Sequence, residues 1–210
     1  MRNQPLDINP SLRSGGVRLA RILSDVFSPP SSLAIFAFIL AWVELPFWQG
    51  LLQGAIFGAC SSLLPILYIL LQMKLGRIED IHISAQNQRH IPYIIGILGA
   101  LLAYGLLRWM HGSPVLLALA IANAIVLALT ALLNTRFLIS AHTTGISLVA
   151  AFSALVYEWW LWLVLLPLII LVVVMRKYLR RHTYGELLAG FIVGTLTAVG
   201  MALFGAFRLL

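Results

Sequence analysis

Charged side chains are scarce in this chain. Lys, Arg, Asp and Glu together make up 10% of its 210 residues, whereas 61% of the residues are hydrophobic. A water-soluble domain of this size carries more charge on its surface, and a mean hydropathy of +0.97 is typical of helical membrane proteins. The composition therefore predicts one domain embedded in the lipid bilayer.

Cysteine is also nearly lacking. Cys60 is the single cysteine, so the chain forms neither an internal disulfide bond nor a cysteine metal site. The net charge of +7 does not indicate a nucleic-acid partner. Its basic residues lie in loops beside hydrophobic runs, where they meet anionic lipid or set the topology. Residues 1–28 contain no continuous apolar core of the kind that a cleavable signal peptide needs.

Two parts of the chain differ in pattern. In residues 1–31, the hydrophobic residues between Leu19 and Val26 recur at i, i+3, i+4 and i+7, with charged residues turned elsewhere. This spacing predicts an amphipathic helix on the membrane surface that ends before Pro29. Residues 32–210 form the predicted transmembrane domain.

Seven hydrophobic runs in the second part approach the roughly 20 residues that a membrane-spanning helix needs. Glu44 and Pro46 interrupt the first run, so the predicted fold is an all-α, polytopic membrane bundle of six or seven transmembrane helices. We place the runs at 32–48, 51–73, 93–110, 115–133, 137–157, 159–175 and 186–207.

The basic residues are distributed unequally between the two sides of this topology. Only Arg108 and Arg208 fall on one side. The positive-inside rule places the richer side in the cytoplasm, and the plasma membrane is the expected location. The richer side carries Arg2, Arg13, Arg18, Arg21, Lys74, Arg77, Arg89, Arg136, Arg176, Lys177, Arg180 and Arg181.

Three polar clusters converge on the predicted cytoplasmic face, at 82–92, 139–145 and 175–186. Polar groups near the ends of spans are costly unless they line a cavity or a substrate path. Arg176 and Arg181 offer forked donors that match phosphate oxygens. The last span begins near Thr183, and the N-terminus of a helix favours an anion. These features predict a phosphate site.

Two histidines and one acid in these clusters suit phosphoryl transfer. His182 is a candidate nucleophile, and Glu186, one helical turn later, is placed to hold its other ring nitrogen. His142 is the candidate general acid for the departing alcohol oxygen. Glu186 also matches a capping box with Thr183, which is an alternative structural role for it.

These clusters resemble the type 2 phosphatidic acid phosphatase (PAP2) superfamily. Arg176, five residues, His182, three residues and Glu186 reproduce the spacing of its last motif, and "SAH" at 140–142 resembles its Pro-Ser-Gly-His motif. The chain departs from the family at Met175, where a serine is usual. It also has a glutamate at 186 in place of the usual aspartate, and Ile139 and Ala141 in place of proline and glycine.

The resemblance implies a PAP2-like bundle and a lipid-phosphate phosphatase that works without metal or cofactor through a phosphohistidine. It assigns His182 as the nucleophile, Glu186 as its orienting acid and His142 as the general acid. It assigns phosphate binding to Arg176 and to two further residues. Arg89 matches the arginine of the family's first motif, and counting back from Arg89 puts His82 at the position of that motif's lysine. Ser140 is the matching residue of the second motif.

Two other classes are weighed against this interpretation. A zinc enzyme built from His142, His182 and Glu186 has a suitable ligand set, but the surrounding arginines repel a cation. A lipid-phosphate-binding or structural membrane protein without catalytic activity is the main alternative, because the motifs depart from the family pattern. The lipid phosphate and the oligomeric state stay open at this point.

Overall fold

The computed structural model describes residues 4–8, 14–83 and 85–204, and this part of the chain is helical without strands. The all-α prediction is confirmed. The helices are α1 (Gly15–Val26), α2 (Pro29–Glu44), α3 (Phe47–Lys74, with a π-helical turn at Ala59–Leu63), α4 (His90–Trp109), α5 (Pro114–Leu133), α6 (Ala141–Val156), α7 (Leu161–Tyr178) and α8 (Tyr184–Leu203).

The helices have the lengths and composition of a polytopic membrane bundle. Five of them, α3, α4, α5, α7 and α8, are long and apolar enough to cross a membrane, and α1 with α2 forms a pair bent by 51° that makes a sixth span if counted as one. Each predicted run overlaps one helix, except that the run 32–48 overlaps α2 and the first two residues of α3. Arg2, Arg13, Arg208 and the predicted end of the last span at 207 lie outside the described residues.

The boundary between the first two predicted spans is wrong by a few residues. The break lies at Leu45 and Pro46 instead of 49–50, because Pro46 cannot continue α2 and disfavours helical backbone at the residue before it. α3 then returns along α2 at close range. A Cβ atom on Gly50 would lie 2.6 Å from the carbonyl oxygen of Ala41, so only glycine fits there.

α6 lies in the centre of the bundle and is shorter than the predicted run 137–157. It begins only at Ala141, because the Ser140 side chain caps it by accepting from the Thr143 N–H. α8 packs directly against it through two glycines one turn apart. A Cβ atom on Gly194 would lie 2.2 Å from the carbonyl oxygen of Thr144. Small residues at this spacing let two helix backbones approach closely.

Four connecting segments meet at one end of the bundle. The backbone N–H of Leu6 donates to the carbonyl of Leu179, and the N–H of Ser140 donates to the carbonyl of Glu186. α7 ends in a tight reversal in which Arg180 takes a left-handed conformation with φ of 56°. The N–H of Arg181 then donates back to the Arg176 carbonyl, as in a Schellman motif. This reversal returns residues 181–183 towards the bundle.

α1 lies beside this end of the bundle, and its hydrophobic face points largely outward. Leu19 is 59% exposed and Ile22 is 50% exposed, whereas Leu23 packs against the apolar cluster around Met175. An exposed apolar face on a short helix suits the membrane surface, which is the position that the sequence predicts.

Candidate functional site

A cavity of about 380 Å³ opens between the helices beside the polar end of the bundle. Four of the residues predicted for the site line it together, namely Arg89, His142, Arg176 and His182. Most of the remaining wall is apolar, with side chains such as Leu33 and Ile66. The cavity therefore has a basic end and an apolar body.

His182 is held by the acid that the sequence pairs with it. Its Nδ1 lies 2.8 Å from Oε2 of Glu186. A carboxylate only accepts hydrogen bonds, so Nδ1 carries the proton and Nε2 keeps its lone pair. The same Oε2 accepts from the Thr183 N–H at 3.3 Å, and the capping box of α8 is complete. Glu186 thus has the structural role and the orienting position at once.

The surroundings of His182 keep its ring neutral. Burial is the largest cause, and the charges of Arg176 and Arg89 act in the same direction, while the hydrogen bond to Glu186 opposes them. Together they lower the pKa of His182 from its ordinary value near 6.5 to about 3. A neutral imidazole with a free Nε2 is the form that acts as a nucleophile.

Arg176 is a buried cation that is unpaired within the described residues. Only 1% of its surface is exposed, and its Nη1 donates to the hydroxyl of Ser24 at 2.9 Å. Its Nε has no hydrogen-bond partner among the described residues, and no described carboxylate forms an ion pair with it. An unpaired buried cation is costly, and an anion that enters the cavity would compensate its charge.

His142 contacts the same part of α1. Its Nε2 lies 3.1 Å from the carbonyl oxygen of Ser24 and 3.4 Å from the Ser24 hydroxyl. Because the carbonyl only accepts, Nε2 is the protonated nitrogen of His142 in this arrangement. The His142 ring also lies against the ring of His82, with 5.2 Å between their centroids.

Arg89 lines the cavity and is fixed there by the loop before α4. Its Nε donates to the carbonyl oxygen of Ile83 at 2.8 Å. Ile83 has a φ of 45°, which is rare for a β-branched residue, and local strain of this kind is frequent near functional sites. The strained backbone aims the carbonyl at the guanidinium.

Ser140 is fully buried and stands behind the cavity wall. Its hydroxyl oxygen is the N-cap of α6 and accepts from the Thr143 N–H and from the Thr143 hydroxyl at 3.1 Å. The structure therefore gives Ser140 a role in fixing the start of α6 and hence the position of His142. Its predicted part in phosphate binding stays a prediction.

Arg181 belongs to a buried cluster of two arginines and two aspartates. Its Nε lies 2.8 Å from Asp7 and its Nη2 lies 2.6 Å from Asp80. Arg21 of α1 contacts the same two carboxylates, at 3.2 Å and 3.1 Å. The cluster connects four parts of the chain, namely the N-terminal segment, α1, the loop between α3 and α4, and the loop between α7 and α8. Arg181 does not line the cavity, and its phosphate-binding role stays a prediction.

The cluster predicts a large difference between two neighbouring acids. Asp80→Asn leaves the buried Arg181 and the partly buried Arg21 with less compensation, and we expect the free energy of unfolding to fall by about 3 to 5 kcal/mol. Glu79→Gln, at an exposed position next to it, is the matched control and should change stability by less than about 0.5 kcal/mol. Thermal unfolding of both variants in detergent tests this. Equal midpoints would contradict the structural role of the cluster.

The two loop histidines predict a stability that rises with pH. Burial, with the charges of Arg176 and Arg181, also lowers the pKa of His82. Below pH 6.5 the unfolded chain binds protons at His82 and His182 that the folded protein rejects, so stability falls as the pH drops from about 6.5 towards 4. Each histidine contributes up to about 1.4 kcal/mol per pH unit.

Unfolding midpoints at pH 5 and pH 7 measure this effect. We expect His182→Gln to lose less stability than the wild type between these values. His111→Asn is the control, since His111 is exposed and its left-handed backbone suits asparagine. The same acid sensitivity in His182→Gln and in the wild type would contradict the assignment of a buried neutral imidazole.

Sequence reasoning missed three residues that hold the site together. Ser24 contacts both His142 and Arg176, and Asp7 anchors Arg181, although no motif includes either residue. His82 lines the cavity, with its Nε2 3.1 Å from Asp25. Its position at the place of the first motif's lysine was the available signal, and a histidine there is a weak one.

The described residues contain no group of three or more His, Cys, Asp or Glu that could hold a metal ion. A metal-independent mechanism stays a prediction. Comparisons of the chain with protein-family models, curated proteins and solved structures find no match. The resemblance to the PAP2 superfamily therefore rests on the motif spacing alone and stays a prediction.

Proposed function

We propose that this membrane protein is a lipid-phosphate phosphatase of the PAP2 type. The observation that carries the proposal is Arg176, a buried cation that lines the cavity and whose Nε has no hydrogen-bond partner in the described part of the chain. A phosphate group would compensate this charge and accept from the guanidinium. Arg89, which lines the same cavity, would contact the same anion.

His182 is proposed as the nucleophile. Its Nε2 attacks phosphorus while Nδ1–H stays bonded to Glu186, so the carboxylate stabilises the positive charge that develops on the ring. The bond between phosphorus and the lipid oxygen breaks, and His142, which must enter this step protonated on both ring nitrogens, gives one proton to that oxygen. A water molecule then attacks phosphorus and gives a proton back to His142, while the P–N bond breaks and its electron pair returns to Nε2 of His182. This step releases inorganic phosphate and restores both histidines.

The shape of the cavity supports a lipid as the carrier of the phosphate. Its basic end lies where the helices α6 and α8 begin and α7 ends, which is the level of the membrane surface, and its apolar body extends between α3 and α5. A phosphorylated headgroup would bind at the surface with its tail among the helices. By the charge distribution this surface is the cytoplasmic one, and we propose the plasma membrane as the location.

Release of inorganic phosphate from the detergent-purified protein tests the proposal. The panel contains phosphatidic acid, phosphatidylglycerol phosphate, and an isoprenyl phosphate and diphosphate, each with EDTA present. We expect release from at least one of them. If the protein neither hydrolyses nor binds any member of the panel, the proposal is overturned.

A binder without turnover is the second candidate, and one observation favours it. Both Arg176 and His142 bond to Ser24, so a phosphate has to displace or share these contacts before His142 can protonate a leaving group. Binding of a lipid phosphate without release of phosphate, in the same assay, would support this candidate over the enzyme.

A further inference from the structure

The carboxyl end of α1 contacts three side chains that line the basic end of the cavity. Ser24, which is fully buried, bonds to Arg176 and to His142. One residue later, Oδ1 of Asp25 lies 3.1 Å from Nε2 of His82. The proposed phosphate needs the same Arg176 and His142, so the last turn of α1 already uses the hydrogen-bond donors of the ligand.

The contact with His142 is made by the backbone of α1. The N–H groups of Phe27 and Ser28 donate to other carbonyls of the last turn, and Pro29 has no N–H. The carbonyl of Ser24 is thus one of the helix-end acceptors that need a partner from outside the helix, and the imidazole of His142 is that partner. Because this acceptor belongs to the backbone, a change of side-chain rotamer cannot release His142. Its release requires the last turn of α1 to move.

The last turn of α1 is a weak substitute for a phosphate group. The Ser24 hydroxyl is neutral, and the carboxyl end of a helix is equivalent to roughly half a negative charge. A phosphate monoester carries about 1.5 to 2 negative charges at pH 7. While α1 is in place, Nε of Arg176 has no partner within the described residues. A phosphate therefore compensates the guanidinium better than α1 does.

The connection between α1 and α2 allows the last turn to move. α1 ends at Val26, and Ser28 has an extended backbone with φ of −65° and ψ of 153° before Pro29 begins α2. The two helices are bent by 51° at this break. Arg21, one turn before Ser24, is bound to the buried acidic pair of the loops. The helix is thus anchored ahead of its last turn and has a break directly after it.

We propose that the last turn of α1 is a built-in competitor for the phosphate group, and that the arrangement in this structure is the closed form of the site. The inference rests on the proposed function, because it concerns the regulation of the same site. A lipid phosphate displaces Ser24 from Arg176 and His142, and the last turn of α1 moves outward at the break before Pro29. The apparent affinity for the lipid is reduced by the fraction of protein in the closed form.

Binding of two lipids to a Ser24→Ala variant tests the inference. The probes are phosphatidic acid and diacylglycerol with the same acyl chains, and all proteins carry His182→Gln so that the phosphate is not released. Alanine removes the hydroxyl that holds Arg176 in the closed form. We therefore expect phosphatidic acid to bind about tenfold more tightly, which corresponds to one hydrogen bond of about 1.4 kcal/mol. The affinity for diacylglycerol should not change.

Ser153→Ala is the matched control. Its hydroxyl is also buried, but it donates to the carbonyl of Val149 within α6 and does not line the cavity. Both lipids should bind to this variant as they bind to its parent. A tighter binding of phosphatidic acid in Ser153→Ala as well would contradict a specific role of Ser24.

The outcomes separate the inference from the proposed function. If phosphatidic acid binds better than diacylglycerol, yet no more tightly in Ser24→Ala than in the parent, the inference alone is overturned. Ser24 then positions Arg176 for the ligand and does not compete with it. If the two lipids bind equally well in every variant, the phosphate site itself is wrong.

Thiol labelling measures the movement of α1 with Ser24 in place. Leu23→Cys, in a chain that carries Cys60→Ala, puts a thiol where α1 packs on the apolar cluster around Met175. We expect phosphatidic acid at saturation to speed the reaction of this thiol with a small charged reagent, and diacylglycerol to leave the rate unchanged. Arg18→Cys, at an exposed position of α1, should react at one rate throughout. An unchanged or slower rate at Leu23→Cys with phosphatidic acid means that α1 stays in place, which overturns the inference.

Discussion

Replacing Arg176 with leucine is expected to weaken the binding of lipid phosphate while making the protein more stable. A charge-assisted hydrogen bond to phosphate contributes about 1.5 to 3 kcal/mol, so the affinity should fall by about 10-fold to 150-fold. Leucine removes a buried charge that forms no ion pair with a described carboxylate. Replacement of buried ion pairs by apolar residues has been neutral or has stabilised proteins by about 1 to 4 kcal/mol.

Arg181→Leu is the matched control for this prediction. Both arginines are buried, and they are five residues apart in the chain. Arg181 compensates Asp7 and Asp80, so its loss should lower the free energy of unfolding by about 3 to 5 kcal/mol. Arg176→Leu should thus bind the lipid phosphate more weakly than the wild type and unfold at a higher temperature. Arg181→Leu should keep its lipid affinity and unfold at a lower temperature. An Arg176→Leu variant that unfolds earlier than the wild type and still binds the lipid would contradict the anion site.

The second large effect is expected at His182 and Glu186. His182→Gln removes the nucleophile and should abolish phosphate release. Glu186→Gln should reduce release by about 10⁴-fold, the size of effect seen when the acid that orients a catalytic histidine is replaced by its amide. A glutamine at this position still satisfies the capping box, so α8 keeps its start.

Thr183→Ala separates the two roles of Glu186. It removes the side chain that caps α8 and should cost about 1 kcal/mol of stability, but it leaves the carboxylate beside His182. We expect nearly normal release of phosphate from this variant. If Thr183→Ala and Glu186→Gln lose activity equally, Glu186 acts through the helix start and the orienting role is wrong.

The fold class follows from composition and spacing because a membrane helix is a local structure. Its length and its apolar character depend only on consecutive residues, so both can be recognised in the sequence. The error at Leu45 and Pro46 arose because a two-residue connection leaves almost no polar signal between two spans. The late start of α6 likewise depends on one cap, Ser140, and a hydrophobic run does not show where its cap lies.

The candidate site was predictable only in part. His182 and Glu186 are four residues apart at the start of α8, so their pairing can be predicted from the sequence spacing. Ser24 and His142 are 118 residues apart, and their contact depends on how α1 packs on the bundle. The partners of Arg181 show the same limit, because Asp80 is separated from Arg181 by four helices in the chain.

The surroundings of Arg181 could not be predicted from its position in the sequence. Its place beside His182 and a helix start suggested a phosphate ligand, yet the reversal at Arg180 turns it towards Asp7. Arg176, at the end of α7, faces the cavity instead. Two basic residues on one short segment therefore have different surroundings, which no spacing rule distinguishes.

A covalent phosphoryl group on His182 is the most direct test of the account. The purified protein is incubated with a lipid phosphate labelled at phosphorus, in EDTA, and quenched in alkali, in which a phosphohistidine is stable. The account predicts label on the peptide that contains His182, and none in His182→Gln. Release of phosphate by the wild type without any label on the protein, or the same label in His182→Gln, would contradict it.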